Sequence, residues 1–400
     1  MRDRRSSDTQ PRRAPPAKSS PTAHVVDDGG RLASSVLALQ RAGGNRATAQ
    51  FLRQPAPARR LQRKVTGLRE ATPTSTFTKA AVDFWKDTAN QGRSLEDYAR
   101  HLIGKANEEL KLLKSHEMKP AFAAISSPGN FDSMSWTVTM NTALFSRRSG
   151  VSKVGDLNLD EAAEAAAGVY HEARHAEQHF RIARTLAGES TKQSVPDIAA
   201  EIKAATLIPI DVALAAAADP LKATTSNAGL LAEARDWRSA TSGLHRGYKN
   251  VINVWDVEAR SAQNVSYDLP ALTGAKAGLE TWMKSWRGSN RLKFIEGHIK
   301  AVKAVRPKSG VDTLALTNMR AIRAAMVKLE KAWTKVDSGW AQARPQEKLK
   351  RLQNFEQNAL PAFEKALHAA YRAQPHETDA YEAEVAVGKQ FRAAGKPAKP

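Results

Sequence analysis

The sequence predicts a mainly α-helical protein with a small β-sheet, an α+β class, and three observations predict it. Residues 195 to 370 carry apolar residues at helical spacing almost throughout, broken at a few Pro- and Gly-containing points. One stretch, "MSWTVTMNTALF", alternates instead. There Trp136, Val138 and Met140 fall opposite Thr137, Thr139 and Asn141, the period of a strand with one buried face. Between them lies "LNLDEAAEAAAGVYHEARHAEQHFRIARTLAGES", a long Ala-rich run with helical periodicity and three of the chain's ten His within nine positions.

The elements follow in order. Residues 1 to 30 are rich in Arg, Pro and Ser and read as disordered. In residues 31 to 54, Leu32, Val36, Leu37 and Leu39 predict a short amphipathic helix, broken at Gly43-Gly44-Asn45 and resumed over Ala47 to Leu52. Residues 71 to 115 read as helical, with Ser94 as an N-cap and Tyr98, Leu102, Ala106 and Leu110 on one face. After the strand, the long helix takes Asp160 as its candidate N-cap and Gly188 as its stop. The helical stretch beyond breaks at Pro209, Pro220, "LPALTG", "RGSN", "RPKSG" and "ARPQE". One of its helices sets Leu316, Met319, Ile322, Met326 and Leu329 on one face. A last helix covers "ETDAYEAEVAVGKQFRAAG". The organisation predicted is a basic leader with a short helix pair over 1–64, a core over 65–194, a helical segment over 195–370 and a closing helix with tail over 371–400.

Composition narrows the chemistry. With no Cys among 400 residues, disulfides, thiolate metal sites and a Cys nucleophile are excluded. A metal here needs His and carboxylate ligands, which suits zinc. The net charge is +20, but residues 1–64 hold 14 Lys/Arg and 4 Asp/Glu, so half of it (14 − 4 = +10) sits in the leader. Aromatics are only 6% and no aromatic-basic motif stands out, so nucleic acid is not the expected partner. The longest apolar run, "AATLIPIDVALAAAA", holds Pro209 and Asp211, so no membrane span is expected. The basic N-terminus is followed by no apolar h-region, so no secretory signal is read there.

His171-Glu172-Ala173-Arg174-His175 matches H-E-x-x-H. On a helix, residues i and i+4 lie one turn apart on one face, so both imidazoles reach one metal ion. Glu172 then stands beside the open coordination position, placed to take a proton from an activated water and pass it to the leaving group. At ~100° per residue the three His share an arc with Ile182 and Leu186, opposite Arg174, Glu177, Arg181 and Arg184. The His side is therefore expected to be the buried side, where unpaired polar groups are costly. The plain alternative is a hydrogen-bonded core cluster without metal. His179 lies about 12 Å along the helix from His171, too far for shared ligation. It is left as a residue behind the ligands, a substrate contact or a core residue.

The pair H-E-x-x-H and a downstream E-x-x-A, here Glu377-Thr378-Asp379-Ala380, resembles the gluzincin metallopeptidases. The resemblance implies a zincin-like catalytic core, one Zn2+ per chain on His171, His175 and Glu377, and Glu172 as general base. Asp379 would orient a ligating His, and Tyr371 or Tyr381 would steady an oxyanion. It also implies an edge strand before the helix that pairs with extended substrate, a place taken by "MSWTVTMN". Glu382 competes with Glu377 for the third ligand position. The gap of 202 residues between His175 and Glu377 makes residues 195–370 a large insertion. The spacing departs from H-E-x-x-H-x-x-G-x-x-H at Gln178 and Arg181, which excludes the metzincin pattern.

"VLALQRAGGNRATAQFLRQ" resembles a segment near the start of bacterial proteins carried by extracellular contractile injection systems. That implies synthesis in a bacterial cytoplasm, loading into a phage-tail-like particle through residues 31–54, and a toxin-like effector role. The expected function is thus zinc-dependent hydrolysis of a protein or peptide substrate. A non-enzymatic particle component with a degenerate or structural metal site is the first alternative. A basic nucleic-acid-binding protein is the second.

Overall fold

In a computed structural model of the chain, the described residues are 67–396, apart from 126, 147, 244, 246–247, 249–251, 253–254, 256–271, 289 and 307. The leader over 1–64, with the helix pair expected in 31–54, lies outside the described residues. What is described is mainly helical with one small sheet, and no helix in it is long and apolar enough to cross a membrane.

The expected helical stretch at 71–115 is two helices, α1 (Ala71–Lys86) and α2 (Leu95–Leu112). Ser94 caps α2 as expected. Its Oγ accepts the Asp97 N–H while the Asp97 carboxylate accepts the Ser94 N–H, so two amides left without helical partners are satisfied. Tyr98, Leu102, Ala106 and Leu110 are buried on one face.

Three short strands follow, β1 (Lys119–Phe122), β2 (Gly129–Asp132) and β3 (Thr137–Met140). Val138 and Met140 face the core as predicted. The edge position expected for this strand is corrected, because the sheet order is β1-β3-β2. β3 pairs in parallel with β1 and antiparallel with β2, so both of its sides are occupied and it has no free edge for a substrate. Pro120 in β1 suits an outer strand, where a missing N–H costs no ladder bond. β2 is the other outer strand and the one turned toward the long helix.

That helix is α3 (Leu159–Glu189). Its N-cap is Asn158, not Asp160. Asn158 Oδ1 accepts from the Glu161 N–H at 3.0 Å, and Glu161 Oε2 accepts from the Asn158 N–H at 2.9 Å. Asp160 instead accepts from Arg392 Nε at 2.6 Å. Gly188 does not end the helix. A Cβ there would come within 2.2 Å of the Leu221 carbonyl oxygen, so this Gly admits a close crossing of the chain inside the last turn.

The chain continues through α4 (Val195–Thr206), α5 (Ile210–Ala218), α6 (Ala228–Thr241), α7 (Leu272–Gly288), α8 (Arg291–Ala304) and α9 (Gly310–Asp337). Next come α10 (Pro345–Asn354), a π-helical turn (Phe355–Ala359), α11 (Leu360–Arg372) and α12 (Pro375–Gly395). α12 starts two residues before the predicted helix, with Pro375 in its first turn.

Two main apolar cores form. The first joins α1 to α3, the sheet, α4, α5 and α12, so it takes in residues beyond position 194. The second is built from residues between Tyr248 and Ala370, including the predicted stripe from Leu316 to Leu329. α12 runs antiparallel along α3, as the pairs Asp160–Arg392, His171–Glu384, Arg174–Asp379 and Gln178–His376 show. At this crossing Gly388 of α12 faces Ala167 of α3, whose Cβ would lie 3.7 Å from a Cβ built on the glycine, so the side chains between the helices are small here. The last helix of the chain is thus laid against the H-E-x-x-H helix.

Candidate metal centre

The predicted division of α3 into a buried His side and a polar Arg side is corrected. α3 is buried almost all round. Arg174, Glu177 and Arg181 are 1%, 3% and 6% exposed, more deeply set than His171 at 8%. Charge pairing makes this possible. Arg174 Nε and Nη2 donate to Asp379 at 2.7 and 3.0 Å, and Arg174 and Arg181 both pair with Glu177. Glu177 also accepts the Leu68 N–H at 2.9 Å, and Trp237 of α6 lies against both guanidinium groups. Burial pushes the Glu177 and Asp379 carboxyls up, but the guanidinium groups beside them outweigh it and hold both below the usual carboxylate range.

On the neighbouring arc, His171 and His175 point their Nε2 atoms at one place, 3.1 Å apart. Glu377, in the first turn of α12, brings Oε2 to 3.7 Å from His171 Nε2 and 3.5 Å from His175 Nε2. A tetrahedral ion with ligands at about 2.05 Å sets its ligand atoms about 3.3 Å apart. The three separations bracket that value, so the donor set fits a zinc-sized ion. Among the described residues these three are the only group of at least three His, Cys, Asp or Glu whose ligand atoms converge in this way. Two imidazoles and a carboxylate also leave a fourth position for another ligand.

The groups behind the ligands are well defined. His175 Nδ1 is 2.9 Å from Gln178 Oε1, a bond that leaves Nε2 free for a metal. Gln178 Nε2 in turn donates to the His376 carbonyl at 2.8 Å and to Asp379 Oδ2 at 2.7 Å. Asp379 therefore reaches His175 through Gln178 rather than directly. His171 Nδ1 lies 2.9 Å from Glu384 Oε2, an ion-pair contact without hydrogen-bond alignment. Burial lowers the His171 pKa, yet Glu377, Glu384 and Glu172 around it prevail and raise it to about 10.

Glu172 stands at the rim. Its Oε2 accepts the Phe131 N–H of β2 at 2.8 Å, and Gly129 leaves it room, since a Cβ there would come within 3.1 Å of Glu172 Cγ. Tyr371 lies against Glu377 and near Glu172. Burial and these carboxylates push its phenol far up. Tyr381 packs edge-on to His171 with ring centroids 4.7 Å apart, and Arg372 covers its ring. Burial raises the Tyr381 phenol to about 12. Both hydroxyls therefore stay protonated, that of Tyr371 bonded to the Glu377 carboxylate.

Two candidates fall outside the group. His179 lies beside Phe131, ring centroids 6.1 Å apart, rather than beside the other two His. Glu382 is 58% exposed and pairs with Arg69 at 3.3 Å. Residues 377 and 382 are about 140° apart around a helix, so only one of them can face α3 at this point. Sequence reading missed Gln178, Glu384, His376 and Phe131. Only Glu384 had a signal, lying seven residues after Glu377 on the same face of α12. No family profile, curated protein or solved structure matches this chain.

Proposed function

We propose that this protein is a zinc-dependent, gluzincin-like metallopeptidase, delivered as cargo of a bacterial contractile injection system. One observation carries the enzymatic reading. His171 and His175 from α3 and Glu377, 202 residues later, set three ligand atoms at separations suited to a tetrahedral ion. The cargo reading is supported by the sequence of residues 31–54 alone.

Zinc, when bound, supplies Lewis acidity at the scissile carbonyl and lowers the pKa of a coordinated water. The chain's own groups do the rest. Glu172, with one oxygen held by the Phe131 amide, takes the proton from the attacking water and returns it to the leaving amine. Tyr381, kept neutral, offers a hydroxyl donor to the developing oxyanion, while the Tyr371 hydroxyl is bonded to Glu377. Gln178 fixes the His175 imidazole by a hydrogen bond, and Glu384 sets a carboxylate against that of His171.

The enclosure of the three ligands favours one second reading, a structural metal site. Their side chains are only 10%, 12% and 1% exposed. Two variants separate the readings. Protein purified at neutral pH should hold about one zinc per chain, and His175→Ala should lose it. Glu172→Ala should keep zinc and lose hydrolysis of casein. A metal-free wild type removes both readings, and full activity in Glu172→Ala removes Glu172 from its role.

A further inference from the structure

The seam between the second core and α12 holds a polar cluster that the metal centre does not use. His245, Tyr248 and Gln374 are 7%, 2% and 6% exposed. His245 Nδ1, the Tyr248 hydroxyl and Gln374 Nε2 are each buried without a hydrogen-bond partner. All three residues line one small cavity, together with Asn318 and apolar Leu314, Ala315 and Pro375. Its free space is about 20 Å³. One water needs about 10–15 Å³ on the same measure. Three unsatisfied buried polar groups on residues that line a single water-sized space are unusual, because such groups are nearly always paired.

Hydrogen-bond chemistry selects the occupant. His245 Nε2 lies 2.9 Å from Asp312 Oδ1; with the ring's proton on Nε2, that atom donates to the carboxylate and Nδ1 is left as an acceptor. Gln374 Nε2 can only donate, and the Tyr248 hydroxyl does either. The occupant must therefore donate toward His245 and accept from Gln374. A simple anion cannot donate, and the Asp312 carboxylate opposes its charge. A metal cation cannot accept an amide N–H. Water has two donors and two acceptors and meets all three demands.

We propose that this cavity is a buried-water site, in which one ordered water bridges His245, Tyr248 and Gln374. The water ties the second core to the start of the helix that bears Glu377. Gln374 is the N-cap residue of α12, and its carbonyl accepts the Thr378 N–H at 2.8 Å. His376 and Glu377 follow within three residues. Direct contacts between the second core and this turn are thereby supplemented by a polar bridge that fixes the Gln374 side chain.

A crystal structure of the full chain that resolves ordered solvent tests the site. One solvent peak is expected at about 2.7–3.2 Å from all three atoms. A dry cavity, or side chains turned to bond one another directly, overturns the proposal. In solution, water oxygen-17 relaxation dispersion counts long-lived internal waters. Gln374→Met keeps the volume and removes the donor, leaving two partners, so the water's residence time should shorten several-fold, and an unchanged residence time sinks the idea. Should that variant not fold, Tyr248→Phe serves. It leaves two partners and should shorten the water's residence time several-fold, and an unchanged residence time is equally decisive. Neither measurement depends on whether the centre binds metal.

Discussion

Gln178→Leu separates the scaffold of the metal centre from the ligands themselves. Gln178 is 1% exposed and links the two helices through His175 Nδ1 at 2.9 Å, the His376 carbonyl at 2.8 Å and Asp379 at 2.7 Å. Leu has nearly the same volume, so the change removes hydrogen bonds without opening a cavity. Three bonds at about 1 kcal/mol each, with the His376 carbonyl left buried and unpaired, give a loss of roughly 2–4 kcal/mol in folding stability. Asp379 keeps its two bonds from Arg174, which limits the damage. The effect on metal is separate. Without Gln178 the His175 ring loses the bond that fixes its tautomer and orientation, and loss of such a partner weakens metal binding about 10–100-fold. That range corresponds to roughly 1.4–2.7 kcal/mol. Urea unfolding of the metal-free protein measures the first effect, and competition with a chromophoric chelator for zinc measures the second. His179→Leu, two turns from His171 on α3, is the control and should leave zinc affinity unchanged. Zinc affinity within about twofold of wild type in Gln178→Leu would refute the claim that Gln178 orients a ligand.

Two further outcomes follow from the charges around the centre. Arg174→Met leaves Glu177 and Asp379 as buried carboxylates short of a partner and should destabilise the fold by about 3–5 kcal/mol in urea unfolding at pH 7. A loss below about 1 kcal/mol would show that water reaches the pair. Zinc binding should also release protons. With its pKa raised to about 10, above the usual ~6.5, His171 is charged at pH 7 in the metal-free chain. Its stabilising contribution is fully present below about pH 6.5 and is lost as pH rises through about 10. A ligating imidazole must be neutral, so zinc binding near pH 7.5 should expel about one proton from His171 and tighten about tenfold per pH unit. Calorimetry in two buffers of different ionisation enthalpy reads this release, and a value near zero would place His171 outside the ligand set.

Much of the local architecture is legible in the sequence, and the reasons differ by element. Ser94 is readable as a cap because the capping box is a matter of four consecutive residues. The stripe from Leu316 to Leu329 is readable because a one-faced helix leaves a 3.6-residue signature. The burial of α3 is misread for the opposite reason. Arg174, Glu177 and Arg181 resemble a solvated face, and only partners 109 and 205 residues away at Leu68 and Asp379 make their burial tolerable. β3 is correctly read as a strand from its alternation, but its place in the middle of the sheet depends on β1 and β2. Those strands are four residues long and too short to show a period. Asn158 and Asp160 are both good caps by type. The choice between them follows from Arg392, which draws Asp160 out to the side of α12.

The sequence by itself determined that His171, Glu172 and His175 share one region of one helix, because a helix with 3.6 residues per turn fixes that from spacing alone. It also determined, from the absence of Cys, that any metal must be held by imidazole and carboxylate. Only the tertiary structure decided which carboxylate. In the sequence Glu377 has only its E-x-x-A match over its competitor Glu382, and the antiparallel packing of α12 on α3 turns the first toward the imidazoles and the second toward Arg69. It likewise decided that Asp379 acts through Gln178, and that β2 rather than β3 meets Glu172. Spacing along a chain settles neighbours within one element. Contacts across 202 residues are settled by which small side chains let two helices pack closely and which buried charges find partners there.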